Sequence, residues 1–275
     1  MARERGESST DAVASGTARA TSVITFTPTN IPPRPTLWGR IYHWYVLLVA
    51  AQLLLIFAPP VLLWSRLVGR PEVVYPWARF GARNWLRLSG MKVVVRGLER
   101  LDPRQPYMFI ANHRSYLDTA AIFHHLGRDI GVLAKKELLK VPILGYGMGH
   151  VNIMAIDRTN RERAFKTVQA ATDKLRGGVS FVVFAEGTRA RPGQLLPFKK
   201  GAFYMAVEAG VPIVPVAIRH TDELMGKGTG TARRGTFEMI VMPPIDTAEL
   251  SSDGDVKQLT ETTRARIAAE LAGES

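Results

Sequence analysis

Three features of the chain predict a mixed α/β fold: a mostly parallel sheet flanked by helices, with a helical hairpin ahead of it. Short apolar runs of strand length recur between Met91 and Met242. Helix-period segments lie between several of them, and this alternation builds parallel or mixed sheets with functional loops beyond the strand ends. Upstream, Ile41 to Ser65 contains no formally charged residue.

Taken in order, residues 1–36 are rich in Ser, Thr, Ala, Pro and Arg and end in Ile31-Pro32-Pro33-Arg34-Pro35. They show no sustained apolar period and are expected to be a disordered tail. Residues 37–89 are read as membrane-anchoring helices, since roughly 20 apolar residues cross a bilayer and Tyr45 to Trp64 is almost wholly apolar. Pro59-Pro60 interrupts that run and shortens its uninterrupted helical part. Arginines flank it on both sides (Arg34 and Arg40 before, Arg66, Arg70, Arg79, Arg83 and Arg87 after), so charge gives no sidedness. A second element, Tyr75 to Leu88, sets Trp77, Phe80, Trp85 and Leu88 among Arg79, Arg83 and Arg87, a mix suited to an interfacial helix. The expectation is a hairpin dipping into one leaflet; the alternative is one spanning anchor followed by an amphipathic helix packed on the domain. The apolar stretch starts too far into the chain, and lacks a small-residue cleavage site, for a secretory signal.

Residues 90–275 form the third segment. Strands are expected at Met91 to Val95, Tyr107 to Ala111, Ile130 to Ala134, Ile153 to Ile156, Val179 to Phe184, Ile213 to Ile218 and Thr236 to Met242. The clearest helix is Arg161 to Leu175, where Ala164, Val168, Ala171 and Leu175 recur at helical spacing. Asn160 is its N-cap and Gly177-Gly178 its stop. The glycine- and arginine-rich stretch from Gly226 to Gly235 reads as a mobile basic loop.

Composition narrows the chemistry. The chain has no cysteine, which excludes disulfides, thiolate nucleophiles and sulfur-ligated metals. Its formal net charge of +12 favours a polyanionic partner: nucleic acid, an anionic lipid surface or a phosphorylated substrate. Nucleic-acid binding lacks a recognisable motif and leaves the Ile41 to Ser65 stretch unexplained. No metal site is expected, because His124, His125 and His150 form no ligand spacing with suitable carboxylates.

Two strings concentrate chemistry at strand ends. Asn112-His113-Arg114-Ser115-Tyr116-Leu117-Asp118 follows the run ending at Ala111. Its Ser115 to Asp118 portion reads as an S-x-x-D helix start, with Ser115 as cap and His113 a bystander. On one continuous helix, residues five apart lie about 140° apart around the axis, so His113 and Asp118 would not share a face. A loop-to-helix junction removes that objection: Asp118 then reaches back to one imidazole nitrogen and leaves the other for a substrate, as a general base. There is no G-x-S-x-G elbow, so direct activation of a substrate hydroxyl for attack on a thioester is simpler than a covalent acyl-enzyme.

The second string, Phe184-Ala185-Glu186-Gly187-Thr188-Arg189, turns out of the Val179 to Phe184 strand. Arg189 is a candidate phosphate ligand, and Arg158, after the Ile153 to Asp157 run, is another. Taken alone, either reads more readily as a solvated charge or as a partner of Asp157 or Glu186 than as a ligand contact. Glu186 itself has three readings: ordering Arg189, accepting a substrate hydroxyl, or capping a turn.

With these residues in place, the chain resembles the glycerophospholipid acyltransferases, most closely bacterial 1-acylglycerol-3-phosphate (lysophosphatidic acid) acyltransferases. Four blocks carry the likeness in order: the N-H-x-x-x-x-D block at Asn112 to Asp118, apolar residues leading to an arginine at Ile153 to Arg158, the F-P-E-G-T-R-S block as Phe184 to Ala190, and the V-P-I-V-P-V strand at Val211 to Val216. Ala185 and Ala190 replace the third block's proline and serine. The resemblance covers about residues 90 to 220. It implies His113 and Asp118 as the catalytic dyad, with Arg158, Glu186, Gly187, Thr188 and Arg189 at the acceptor site. It also implies a lysophospholipid acceptor, acyl-CoA or acyl carrier protein as donor substrate, no cofactor, and work at the cytoplasmic side of the cell membrane on a lipid surface. Relatives with the same dyad acylate other alcohols, and a non-catalytic lipid-binding protein would carry a broken dyad. The stretch Leu138 to Tyr146 could line an acyl groove or simply be a core or membrane-contact segment.

Overall fold

The computed structural model of the chain describes residues 22–26, 36–157 and 159–273. Most of the expected disordered tail therefore lies outside the described residues. Residues 22–26 depart from that expectation. Ile24–Thr25 (β1) pairs antiparallel with Gln194–Leu195, and the Phe26 N–H donates to the Gly193 carbonyl at 2.7 Å. Two residues are too few to show a period, and the pairing partner lies far along the chain.

Helix α1 spans Leu37–Val68, capped by Thr36, whose hydroxyl accepts the Gly39 N–H at 3.1 Å. It runs unbroken through Pro59 and Pro60, contrary to the expected interruption. Proline φ suits a helix; the penalty is the lost N–H and the clash with the carbonyl one turn back. Here the packing of Val61 and Leu62 against Val74, Tyr75 and Val151 opposes that penalty. Gly69, at φ 67°, ends the helix in the left-handed conformation. Helix α2 (Val74–Leu88) then runs back along α1. Phe57 meets the rings of Trp77 and Phe80 near one end. At the other, the Trp85 indole donates to Val46 O (2.9 Å), and the Tyr42 and Tyr45 hydroxyls donate to Ser89 O and Leu88 O. The two helices thus pack side by side, with α1 fastened at both ends and α2 also packed on the domain core.

The remaining elements are β2 (Met91–Arg96), β3 (Met108–Ala111), α3 (Leu117–His125), β4 (Ile130–Lys135), α4 (Leu144–Met148), β5 (Ile153–Ile156), α5 (Arg161–Arg176), β6 (Ser180–Phe184), β7 (Gln194–Leu195), α6 (Gly201–Ala209), β8 (Ile213–Arg219), α7 (Thr221–Met225), β9 (Gly235–Val241) and α8 (Asp253–Ala272). Asn160 caps α5 as expected, accepting the Arg163 N–H at 3.0 Å.

Seven strands form one sheet in the order β2-β9-β8-β3-β6-β4-β5, parallel throughout except between β8 and β9. Side chains alternate across it. On β3, Phe109 and Ala111 enter one core with Leu117, Ala121 and Leu86, while Met108 and Ile110 enter the other with Leu175, Phe203, Leu259 and Ile267. Helices therefore cover both faces, and β3 lies in the middle with β8 and β6 on either side.

Helix α8 had no clear sequence signal, because Thr260, Thr263 and Arg264 share its buried face with Val256, Leu259, Ile267 and Leu271. Arg264 is accommodated there by donating to the carbonyls of Leu195, Leu196 and Ser22. The stretch from Gly226 to Gly235, expected to be a mobile loop, is tied down at its end. Ala232 is buried with its N–H on Gly39 O (2.9 Å), and Arg233 pairs with Glu223.

Candidate active site

β3 ends between two parallel neighbours, with Ala111 level with Phe184 of β6 and Val216 of β8. The next residue leaves the ladder. The Asn112 side chain spans to β8, donating to Ile218 O (2.9 Å) and accepting the Ile218 N–H (2.7 Å). This substitute for main-chain pairing lets the chain leave the sheet while Asn112 stays fully buried. His113 therefore stands beyond the carboxyl ends of β3, β6 and β8, where ligands of open α/β sheets bind.

The His113 imidazole lies flat on the Phe184 ring, centroids 4.0 Å apart at 18°, and its Nδ1 is 2.8 Å from Asp118 Oδ2. The same oxygen accepts the main-chain N–H groups of Arg114 (2.7 Å) and Ser115 (2.8 Å), while Oδ1 accepts the Thr221 hydroxyl at 2.6 Å. Asp118 is wholly buried, so its charge is held by these donors in place of water. Paired this way, Nδ1 carries the proton and Nε2 has no protein partner among the described residues. The ring remains 16% exposed. A neutral imidazole so held can take a proton at Nε2 and keep the resulting cation against a carboxylate.

The helix-start reading of the first string holds only in the part played by Asp118. Asp118, in the first turn of α3, reaches back to the Ser115 N–H as a helix start would require, and with the same oxygen holds His113. Ser115 is not the cap: its hydroxyl accepts the Leu117 N–H and donates to Met225 O (2.7 Å).

Glu186 stands two residues beyond β6. One carboxylate oxygen accepts the His113 N–H (2.7 Å), the other the Leu196 N–H (2.8 Å). Its side chain thus joins the loops after β3, β6 and β7, and neither oxygen is directed to Arg189. Burial pushes its carboxyl up to about 7, against the smaller opposing pull of the Leu196 and His113 N–H groups and of Arg114, with Asp118 adding a rise. Gly187 has φ 70°, and a side chain there would meet Lys199. This is a turn that requires glycine.

The Arg189 guanidinium lies 3.6 Å from the centre of the Tyr116 ring, which brings the second string over the first. Lys227 closes the group, its ammonium donating to Arg189 O and lying 3.5 Å from the Thr188 hydroxyl. Arg158 lies outside the described residues. Its neighbour Asp157 accepts Lys136 at 2.6 Å, and Lys136 and Thr159 hold its carboxyl well below the usual range. Leu138, Leu139, Val141 and Tyr146 are exposed, while Ile143 packs on the Val61–Leu62 part of α1.

Sequence reasoning missed the groups that brace the site from behind. Arg114 is buried, donates to Gln194 O (3.0 Å), pairs with Asp222 (3.4 Å) and lies over the Phe26 ring. Asp222 also accepts the Gly193 N–H at 2.8 Å. Thr221 and Asp222 follow the fourth block's strand after a single residue, His220. Their position at the carboxyl end of an apolar run was the available signal, but its force depends on β8 lying beside β3.

Residues 92–219 match the family model described as Acyltransferase. Over that segment the chain is similar to the acyltransferase family. The chain is 35% identical over 178 residues to human 1-acyl-sn-glycerol-3-phosphate acyltransferase alpha, covering 64% of this chain and 62% of the relative. It is 36% identical over 169 residues to 1-acyl-sn-glycerol-3-phosphate acyltransferase of Saccharomyces cerevisiae, covering 60% and 55%. The chain thus spans less than two thirds of the length of these curated relatives. Among solved structures it is similar to the 1-acyl-sn-glycerophosphate acyltransferase PlsC of Thermotoga maritima, with a TM-score of 0.74 and 27% identity over 86% of this chain and 97% of that one. The two departures from the third block, Ala185 and Ala190, are both buried and bonded through their main chains, to Lys199 N and His113 O. Neither replacement removes a charged group from the loop.

Proposed function

We propose that this chain transfers a fatty acyl group from acyl-CoA or acyl carrier protein to the sn-2 hydroxyl of 1-acylglycerol-3-phosphate, giving phosphatidic acid for phospholipid biosynthesis. The observation that carries the reading is the His113 Nδ1–Asp118 contact of 2.8 Å, which leaves Nε2 open at the carboxyl edge of the sheet. In the reaction, Nε2 takes the proton of the acceptor hydroxyl as its oxygen bonds to the thioester carbonyl carbon. The tetrahedral intermediate collapses, the C–S bond breaks, and the thiolate takes the proton back from the imidazolium. No cofactor enters this scheme.

Arg189, with Gly187 and Thr188 on the same turn, is assigned to the acceptor's phosphate, and Arg158 to the same charge. Glu186 serves that site by shaping the loops. Helix α1 supports membrane association by length and composition, being the one described helix long and apolar enough to cross a bilayer. Because both its ends are fastened to α2 and the domain, we assign it a seat in one leaflet, with Trp44, Leu48, Leu55, Ile56, Leu63 and Trp64 facing lipid. The arginines of α2 would draw anionic lipid, and the acyltransferase domain would lie on the cytoplasmic face of the cell membrane.

The test is a panel of lysolipids supplied to the purified chain with acyl-CoA or acyl carrier protein donors, products being weighed by mass spectrometry. Phosphatidic acid from lysophosphatidic acid is the expected product. Acylation of no lysophospholipid with either donor would refute the assignment.

A further inference from the structure

We propose that Thr221 is a positioning residue of the His113–Asp118 pair, its hydroxyl fixing the carboxylate so that Oδ2 stays on the imidazole. The proposal rests on the acyl-transfer reading for its kinetic consequences. Asp118 has two oxygens with different duties. Oδ2 is committed to the loop, receiving His113 Nδ1 and the N–H groups of Arg114 and Ser115, whereas Oδ1 accepts the Thr221 hydroxyl at 2.6 Å. An ionised carboxylate only accepts, so the hydroxyl must donate. Both side chains are wholly buried, so water cannot replace the bond, and rotation of the carboxylate would leave a charged oxygen without a donor.

The fold directs Thr221 to this duty. β8 lies beside β3, so its carboxyl end arrives next to the His113 loop. There His220 takes φ 65°, a left-handed conformation rare for a residue with a side chain, and turns the chain directly into α7, whose first residue is Thr221. The rest of the turn grips the same loop, through Asp222 to Arg114, the Met225 carbonyl to Ser115, and the Lys227 N–H to Arg114 O. The loop is held from two sides: Glu186 at the His113 main chain, and the α7 turn at Asp118, Arg114 and Ser115.

Thr221→Val keeps the shape and removes the donor, while Thr221→Ser keeps the donor. The expected result for Thr221→Val is a fall of roughly ten-fold in kcat, about 1.4 kcal/mol of activation free energy, with the acceptor KM within about two-fold of wild type. The ionisable groups on the surrounding elements are His113 and Arg114 on the same loop, Glu186 after β6, and His220, Asp222 and Glu223 on the α7 turn. With these unchanged, a carboxylate short of one donor holds the imidazolium proton more tightly, so the acidic limb of the kcat/KM profile moves to higher pH. Thr221→Ser restores both rate and profile. Wild-type kinetics in Thr221→Val, or equal losses in the Val and Ser variants, would overturn the proposal. Should Thr221→Val not fold, Thr221→Ala carries the same comparison. If the wild type acylates no lysophospholipid, the functional reading fails, but the tie is still read from the downfield Nδ1 proton resonance of His113, identified by its loss in His113→Gln. That resonance should shift in Thr221→Val and persist in Thr221→Ser; an unchanged signal in Thr221→Val would refute the tie itself.

Discussion

The Glu186 carboxylate accepts the main-chain N–H of His113 at 2.7 Å and reaches it from a loop 73 residues further along the chain. A residue of the third block thus sets the position of the base in the first. Replacing it with Gln puts an amide donor against one of two buried N–H donors. The expected outcome for Glu186→Gln is a fall of about ten- to a hundred-fold in acyl transfer, through displacement of the loop. Steady-state kinetics on both substrates would check it.

The same side chain gives a pH effect on stability. Its carboxyl is raised from 4.5 to about 7 by burial. The native state then binds more protons than the unfolded chain between those values, so this group's contribution is intact below about 4.5 and is lost as pH rises to about 7. The loss is on the order of 3 kcal/mol at most. Unfolding of wild type and Glu186→Gln across that range should show the wild type losing ground to the variant as pH rises. Parallel curves would contradict the assignment.

Asp222 neutralises a buried arginine. Its carboxylate lies 3.4 Å from Arg114 Nη1, and both side chains are nearly inaccessible. Asp222→Ala should destabilise the protein by roughly 3 kcal/mol, because an uncompensated buried guanidinium is left behind. Denaturant or thermal unfolding reads this directly, and a change below about 0.5 kcal/mol would mean that water reaches the site.

Arg189 is expected to act on binding of the acceptor. Arg189→Ala should raise the acceptor KM about ten-fold or more with a smaller change in donor KM, and Arg189→Lys should recover little, since an ammonium cannot stack its plane on Tyr116. Kinetics with both substrates varied would separate the two effects.

The sheet was legible because each strand is a short apolar run between turns, and parallel strands buried on both faces need no alternation to be recognised. Helix α5 was legible through Asn160 and its apolar stripe. Helix α8 was not, since Arg264 occupies its inner face and donates to carbonyls of Ser22, Leu195 and Leu196, far along the chain. At Pro59-Pro60, local propensity pointed to a break that packing against Val74 and Tyr75 opposes. In the site, His113, Asp118, Glu186 and Arg189 were readable from two compact strings. The pairing of Asp118 with Thr221 was not, because it spans 103 residues and exists only through the placing of β8 beside β3.

The most direct test of the account is acyl transfer by purified wild type and His113→Ala, with lysophosphatidic acid as acceptor and both donor types supplied. The account expects phosphatidic acid from the wild type and a loss of at least about a thousand-fold in His113→Ala, with its melting transition retained. Full activity in a folded His113→Ala protein would contradict it.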